Sequence, residues 1–307
     1  MIEPLAYWNG RFAPFSQVCL PPYDAGFVQG TTVGEQLRTF GGRLFMLDEH
    51  LARLRRSLDV IGVRPAVSLG TLAEISRSLA RHNHALLADG DDLGLSIVVT
   101  PGVYSAFACG ARGGPTTLVM TYPLAFELFA SLFERGQPLV VTSIRQVPAD
   151  CWPPELKCRS RMHYYLADRE AREREPGSRA LLLDHDGFVT EASTANVVAY
   201  FAGEGLVSPP KEKILPGISV ARLADIARSI GIDFHMRPLS PADLARSDEL
   251  FLTSTSPCIV PCARLDGQPI GDGRPGPVFR RLLEAWGRDV GVDIAAQAAR
   301  FAHRTKN

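Results

Sequence analysis

Leu156-Lys157-Cys158-Arg159-Ser160-Arg161-Met162-His163-Tyr164-Tyr165-Leu166-Ala167-Asp168 runs on as a charged helix. The chain then closes with Asp186-Gly187-Phe188-Val189-Thr190-Glu191-Ala192-Ser193-Thr194-Ala195-Asn196. The whole sequence holds only four lysines, at 157, 211, 213 and 306, against a large excess of arginine. Three of them sit in loop-like or terminal contexts, whereas Lys157 stands between an apolar leucine and a helix start. An amine can lose its proton when desolvated and attack a carbonyl; a guanidinium cannot. A lone lysine of this kind is ordinarily a surface side chain with its stem laid along apolar neighbours. Glu191 changes that reading. It follows an Asp186-Gly187 turn flanked by residues 179–184 and 195–201, a hairpin pattern that carries a carboxylate on a strand into the core.

With 307 residues there is ample chain for a sizeable core, in one large domain or two. Lys and Arg total 33 and Asp and Glu total 33, so the formal charge is zero and the charges are interspersed. Neither nucleic acid nor an anionic membrane is expected as a partner. The opening Met1-Ile2-Glu3-Pro4 lacks the basic and apolar regions of a signal peptide, and no window has the unbroken apolar length of a membrane span. A soluble, cytoplasmic protein is expected. Cysteines at 19, 109, 151, 158, 258 and 262 show no paired metal-ligand spacing, so reduced thiols and no metal site are expected.

Outward from the central stretch, Asn9-Gly10 marks a hairpin near the start. Leu51, Leu54, Leu58 and Ile61 recur at helical spacing, with Asp48 as the expected N-cap and Gly62 as the stop. His50, Arg53 and Ser57 fall on a second face of that helix. Residues 69–88 give another helix, and 93–100 and 116–121 read as strands. Between those strands lies a glycine-rich loop containing Tyr104 and Arg112. The boundary is drawn as an N-terminal α/β domain over 1–122, a linker over 123–136, and a C-terminal domain over 137–307. Gly217, Ile218 and Ser219 precede the stripe Leu223, Ile226, Ala227, Ile230, so they open a helix. That position is either an anion site or an ordinary Ser-capped start. Thr253-Ser254-Thr255-Ser256 ends a strand in a hydroxyl-rich turn, where hydroxyls commonly act as caps. Cys258 and Cys262 read as packing residues, 278–286 as the final helix, and the remainder as a polar tail.

Glu191-Ala-Ser193-Thr-Ala-Asn196, Glu49-His50-x-x-Arg53-Leu54-x-x-Ser57 and Ile214-Leu-Pro216-Gly217-Ile218-Ser219 together resemble the class IV, fold-type IV family of pyridoxal-phosphate enzymes over most of the chain. That family includes branched-chain and D-amino-acid aminotransferases and aminodeoxychorismate lyase. The resemblance implies an α+β, two-domain fold with a small N-terminal α/β domain and a larger C-terminal pseudo-barrel domain. It implies pyridoxal 5'-phosphate, with Lys157 as the catalytic lysine forming the Schiff base. Glu191, in its context with Asn196, would pair with the ring nitrogen. Arg53, the Gly217-Ile218-Ser219 turn and Thr255 would hold the phosphate, and Tyr164 is a candidate donor to the ring oxygen. On the substrate side it implies Gly34, in a Glu35-x-x-Arg38 context, and Ser256, whose turn offers amides to the carboxylate. Tyr104 lies in the loop that binds the carboxylate in the family, with Arg112 left open beside it. The family has an aromatic where this chain has Gly34. Either a pocket wall is missing or the glycine lets two strands approach. The expected reaction is transamination between a branched-chain-like or other small amino acid and a 2-oxo acid in a homodimer. Aminodeoxychorismate lyase and D-amino-acid aminotransferase are the alternatives, and the arginine-rich loop of the lyase is absent.

Overall fold

The computed structural model describes residues 3–304, so Met1, Ile2 and Lys306 lie outside the described residues. The architecture is α+β and separates into two compact units. One takes the described residues up to Leu124 together with Glu155–Ser160; the other takes Ala125–Pro154 and the described residues from Arg161 onward.

In the first unit, β1 (Leu5–Trp8) and β2 (Arg11–Pro14) form a hairpin whose Asn9 and Gly10 take φ of 45° and 97°. Glycine reaches that region at no steric cost and asparagine at little. The short α1 (Ala25–Val28) is capped by the Asp24 side chain. Then follow β3 (Val33–Phe40), β4 (Arg43–Leu44), α2 (Leu47–Ile61), α3 (Leu69–His84), β5 (Leu93–Thr100) and β6 (Thr116–Pro123). The strands assemble in the order β2-β1-β6-β5-β3-β4. Leu51, Leu54 and Leu58 of α2 and Leu72 and Leu79 of α3 pack on Leu37, Leu95, Ile97 and Val119 of the sheet, as the helical spacing requires. The helix start differs from expectation. Met46, in the left-handed region, is the N-cap, and Asp48 lies inside the first turn, where its charge faces the positive end of the helix dipole. Gly62, at φ 69°, ends α2. Helix α3 stops at His84 rather than 88, where the Asn83 side chain is engaged by both backbone groups of Leu5.

The second unit begins with α4 (Phe126–Arg135), so the segment read as a linker holds a helix with Phe126 and Phe129 buried. It continues with β7 (Pro138–Val141), α5 (Met162–Arg174), β8 (Arg179–Leu183), β9 (Val189–Ala192), β10 (Ala195–Phe201) and β11 (Gly205–Ser208). Next come α6 (Ile218–Ser229), β12 (Phe234–Met236), α7 (Pro241–Ala245), β13 (Glu249–Ser254) and β14 (Cys258–Cys262). The chain ends with β15 (Arg264–Leu265), β16 (Gln268–Pro269), α8 (Pro277–Val290) and α9 (Ile294–Phe301). The sheet runs β12-β11-β10-β9-β8-β7-β15-β16, with β13 joining β10 to β14. Glu191 lies on β9, a short strand between two turns: Asp186-Gly187 before it and Ser193-Thr194 after it, with Thr194 at φ 66°. Residues 195–201 therefore form a third strand rather than the second arm of one hairpin. Cys258 and Cys262 are buried in β14.

Two features at the chain's end depart from the sequence reading. Helix α8 runs on to Val290, and a further helix, α9, follows it, capped by the Asp293 side chain on Ala296 N. Ile294, Ala298 and Phe301 recur at four and three residues and are buried, a short apolar stripe that the polar flanks conceal. Among the described residues no helix is long and apolar enough to cross a membrane.

The Phe301 ring lies 5.7 Å from that of Phe126, and Phe301 is 8% exposed. Truncation to Phe301→Ala is expected to cost about 3 kcal/mol, read as a lowered urea midpoint with an unchanged slope. An unchanged midpoint would mean that the final turns carry no packing load.

Candidate functional site

In the first unit, α2 turns His50, Arg53 and Ser57 to its buried side while Arg55 and Arg56 stay exposed. Strand β3 places Glu35 among them. Arg53 grips that carboxylate with two prongs, Nε to Oε1 at 2.8 Å and Nη2 to Oε2 at 2.7 Å. His50 Nδ1 meets Oε2 at 2.7 Å. Burial pushes the Glu35 pKa up, but the hydrogen bonds and charge of Arg53, the bond to His50 and the charge of Lys157 overcome it and hold the group at about 2. Burial, the largest single effect, together with the charges of Arg53 and Lys157 lowers the His50 pKa even though Glu35 raises it. A neutral imidazole beside an ionised carboxylate carries its proton on Nδ1, and so donates to Glu35.

The lysine is fixed to this cluster through its own backbone. Lys157 N donates to Ser57 Oγ at 3.1 Å, and Gly34 N donates to Lys157 O at 3.2 Å. Cys158 bridges Val33, Arg159 N donates to Thr32 O at 2.7 Å, and Ser160 Oγ donates to Gly30 O at 2.7 Å. The segment Glu155–Ser160 is thus laid along the start of β3. A Cβ on Gly34 would press into the Ile97 carbonyl oxygen of β5, so the glycine serves close strand approach. Tyr104 is half-buried in the loop after β5, its ring edge-on to Phe107 at 5.3 Å and its N–H donating to Tyr23 O. Arg112, in the same loop, is exposed.

In the second unit the Glu191 carboxylate is 5% exposed. Its Oε1 accepts from Tyr164 Oη at 2.5 Å and from Gln146 Nε2 at 2.7 Å, and its Oε2 accepts from Leu215 N at 3.2 Å. The Tyr164 hydroxyl, expected from the sequence to serve a ring oxygen, is thus engaged with Glu191. Burial and then the Glu191 charge push its pKa well above the usual phenol value, so it stays a donor. Gln146 was invisible in the sequence: it sits in an unremarkable loop, 45 residues from the acid it touches. Only the fold brings them together.

Asn196, paired in register with Glu191, donates from Nδ2 to Leu215 O at 3.0 Å and so holds the turn before α6. Gly217 is the N-cap of α6, and no side chain caps that helix. A Cβ on Gly217 would run into Asn196 Oδ1. Ile218 and Ser219 are buried in the first turn, and the Ser-capped alternative is not what the structure has. Thr255 and Ser256 are half-buried in the tight β13–β14 turn, beside the Ser254–Cys258 pair that closes it. An uncapped helix end with a glycine at its mouth suits a phosphate group, and a buried acid that accepts from fixed donors suits a protonated ring nitrogen. The residues present therefore fit a phosphorylated pyridine cofactor.

Comparison with known proteins agrees with that chemistry. Residues 32–265 match the family model described as amino-transferase class IV. The chain is 28% identical over 278 residues to a putative branched-chain-amino-acid aminotransferase of Methanocaldococcus jannaschii, covering 91% of this chain and 93% of that protein. It is likewise 28% identical over 281 residues to the D-alanine aminotransferase of Bacillus licheniformis, covering 91% and 94%. Among solved structures, the T.th. branched-chain amino acid aminotransferase with pyridoxamine 5'-phosphate superposes with a TM-score of 0.84 at 25% identity. The match spans 94% of this chain and 95% of that one.

The Glu35 cluster predicts a distinct acid response. Its carboxyl is held at about 2 against an ordinary 4.5, so its stabilising contribution is complete above pH 4.5 and drains away as pH falls towards 2. In Glu35→Gln the buried Arg53 loses its counter-charge, a loss on the order of 3 kcal/mol at neutral pH. The gap in urea midpoint between wild type and variant should narrow as pH is lowered from 5 towards about 2. A gap independent of pH would show that the carboxylate is not ionised in the folded protein.

Proposed function

We propose, from the premise that this chain belongs to the class IV aminotransferase family, that it moves an amino group from a branched-chain-like or other small amino acid to a 2-oxo acid with pyridoxal 5'-phosphate. That cofactor supplies the electron sink that makes a substrate α-proton removable. Lys157 would hold it through the side-chain amine and, once released, carry the proton lifted from the substrate α-carbon. Its backbone is bonded on both sides, so only the side chain needs to swing.

Arg53 would face the phosphate, its plane set by Glu35. The amides of Ile218 and Ser219 and the hydroxyls of Ser219 and Thr255 are the other proposed partners of the anion. Glu191 would keep the ring nitrogen protonated, with Asn196 bracing the adjoining turn. Tyr164 serves that site through Glu191. On the substrate side, the amide of Ser256 and the hydroxyl of Tyr104 are the proposed contacts, while Gly34 contributes close backbone and no side chain. The observation that carries the proposal is the buried Glu191, whose carboxylate oxygens accept from Gln146, Tyr164 and the Leu215 amide at the position where the family pattern has its acid.

A homodimer is part of the same proposal. The first unit leaves Phe15, Leu20, Phe27 and Phe107 exposed, apolar surface of the kind a second copy covers. So is a cytoplasmic location, in keeping with cysteines that are free throughout the described residues.

Incubation of the cofactor-loaded protein with single L- and D-amino acids, scored by the 2-oxo acid each one releases, tests this reading. Small branched donors should give stoichiometric release in a single half-reaction, and Lys157→Ala should give none. Release from no amino acid of either hand, or undiminished release by the alanine variant, would overturn it.

A further inference from the structure

We infer that Gln146 is a positioning residue that orients Glu191 and holds it as an anion without cancelling its charge. This rests on the reading that Glu191 faces the ring nitrogen of the cofactor. Gln146 follows β7, and its backbone N–H donates to Leu183 O at 2.9 Å, stitching the loop to the end of β8. Its side-chain Oε1 accepts from Val147 N at 3.1 Å. A backbone N–H can only donate, so that bond assigns the amide: oxygen towards Val147, nitrogen towards the acid. Flipping the amide would lose the Val147 bond and set oxygen against a carboxylate oxygen. Gln146 Nε2 therefore donates to Glu191 Oε1 at 2.7 Å, and stands 3.4 Å from Tyr164 Oη.

Two side-chain donors thus share one carboxylate oxygen, and the Leu215 amide takes the other. Donors to the ionised form lower an acid's affinity for its proton. A proton shared between this acid and a pyridine nitrogen is thereby pushed onto the nitrogen. A lysine or arginine at position 146 would favour the anion too, yet would spend its charge on itself. A neutral amide leaves that charge for the ring.

The test compares wild type with Gln146→Met, which keeps the length of the side chain and removes the donor, and with Gln146→Glu, which adds a like charge. Each protein is loaded with ring-15N-labelled pyridoxal 5'-phosphate, and the nitrogen shift reports whether the ring is protonated. The apo-protein's dissociation constant for the cofactor is measured alongside. Loss of one charge-assisted hydrogen bond should weaken cofactor binding by roughly 10- to 100-fold in Gln146→Met. The nitrogen resonance should move towards the unprotonated value in Gln146→Met but not in Gln146→Glu, whose added carboxylate itself favours a protonated ring, and kcat of Gln146→Met should fall with little change in KM for the amino donor. Equal nitrogen shifts in all three proteins would overturn the inference, as would binding unchanged within about twofold. Failure of the wild type itself to bind the cofactor would instead strike the functional reading on which it rests. A thermal midpoint common to wild type and Gln146→Met separates these effects from misfolding.

Discussion

The arrangement depends on how the backbone around Lys157 is fastened. A lysine proposed to bond to a cofactor and later let go needs a mobile amine on an immobile stem. The stem here is held by Ser57 Oγ on one side and by Gly34 N on the other, with Arg159 and Ser160 bonded to the residues just before β3. Gly34 makes this possible twice over. Its N–H bonds the lysine's carbonyl, and its missing side chain lets β5 close in behind it. Ser57 does the corresponding service from α2, one turn beyond Arg53. The residues that fasten the lysine and the residue proposed to take the phosphate thus come from the same short strand and helix.

Two of the buried acids in this chain, Glu35 and Glu191, meet different kinds of donor. Glu35 is matched by a guanidinium that takes both its oxygens, so its charge is neutralised locally and its work is to set the plane of Arg53. Glu191 accepts from Gln146, Tyr164 and the Leu215 amide, donors that favour the anion and carry no charge of their own. Burial alone would protonate either acid. At Glu35 partner chemistry overcomes it and keeps the group ionised.

Much of this was legible in the sequence wherever a signal is local. The Asn9-Gly10 turn, the apolar stripe and glycine stop of α2, and the helix start after Gly217 all follow from spacing and φ preference. So did the family resemblance, because its motifs are short runs of neighbouring residues. What was not legible depends on partners far along the chain. Gln146 carries no pattern of its own, and the tight bond of Tyr164 to Glu191 could not be told from a hydroxyl aimed at a ring. The Asp48 cap failed because Met46 adopts the left-handed conformation that the turn at residues 45–47 requires. Helix α9 escaped because eight residues give a 3.6-residue period too few repeats to stand out from polar flanks.

The account stands on which amine meets the cofactor. Borohydride reduction of the protein saturated with pyridoxal 5'-phosphate, followed by peptide mapping, reads that bond directly. The account predicts a single label on the peptide carrying Lys157, absent from Lys157→Arg. A label on Lys211 or Lys213, or none in the wild type, would contradict it.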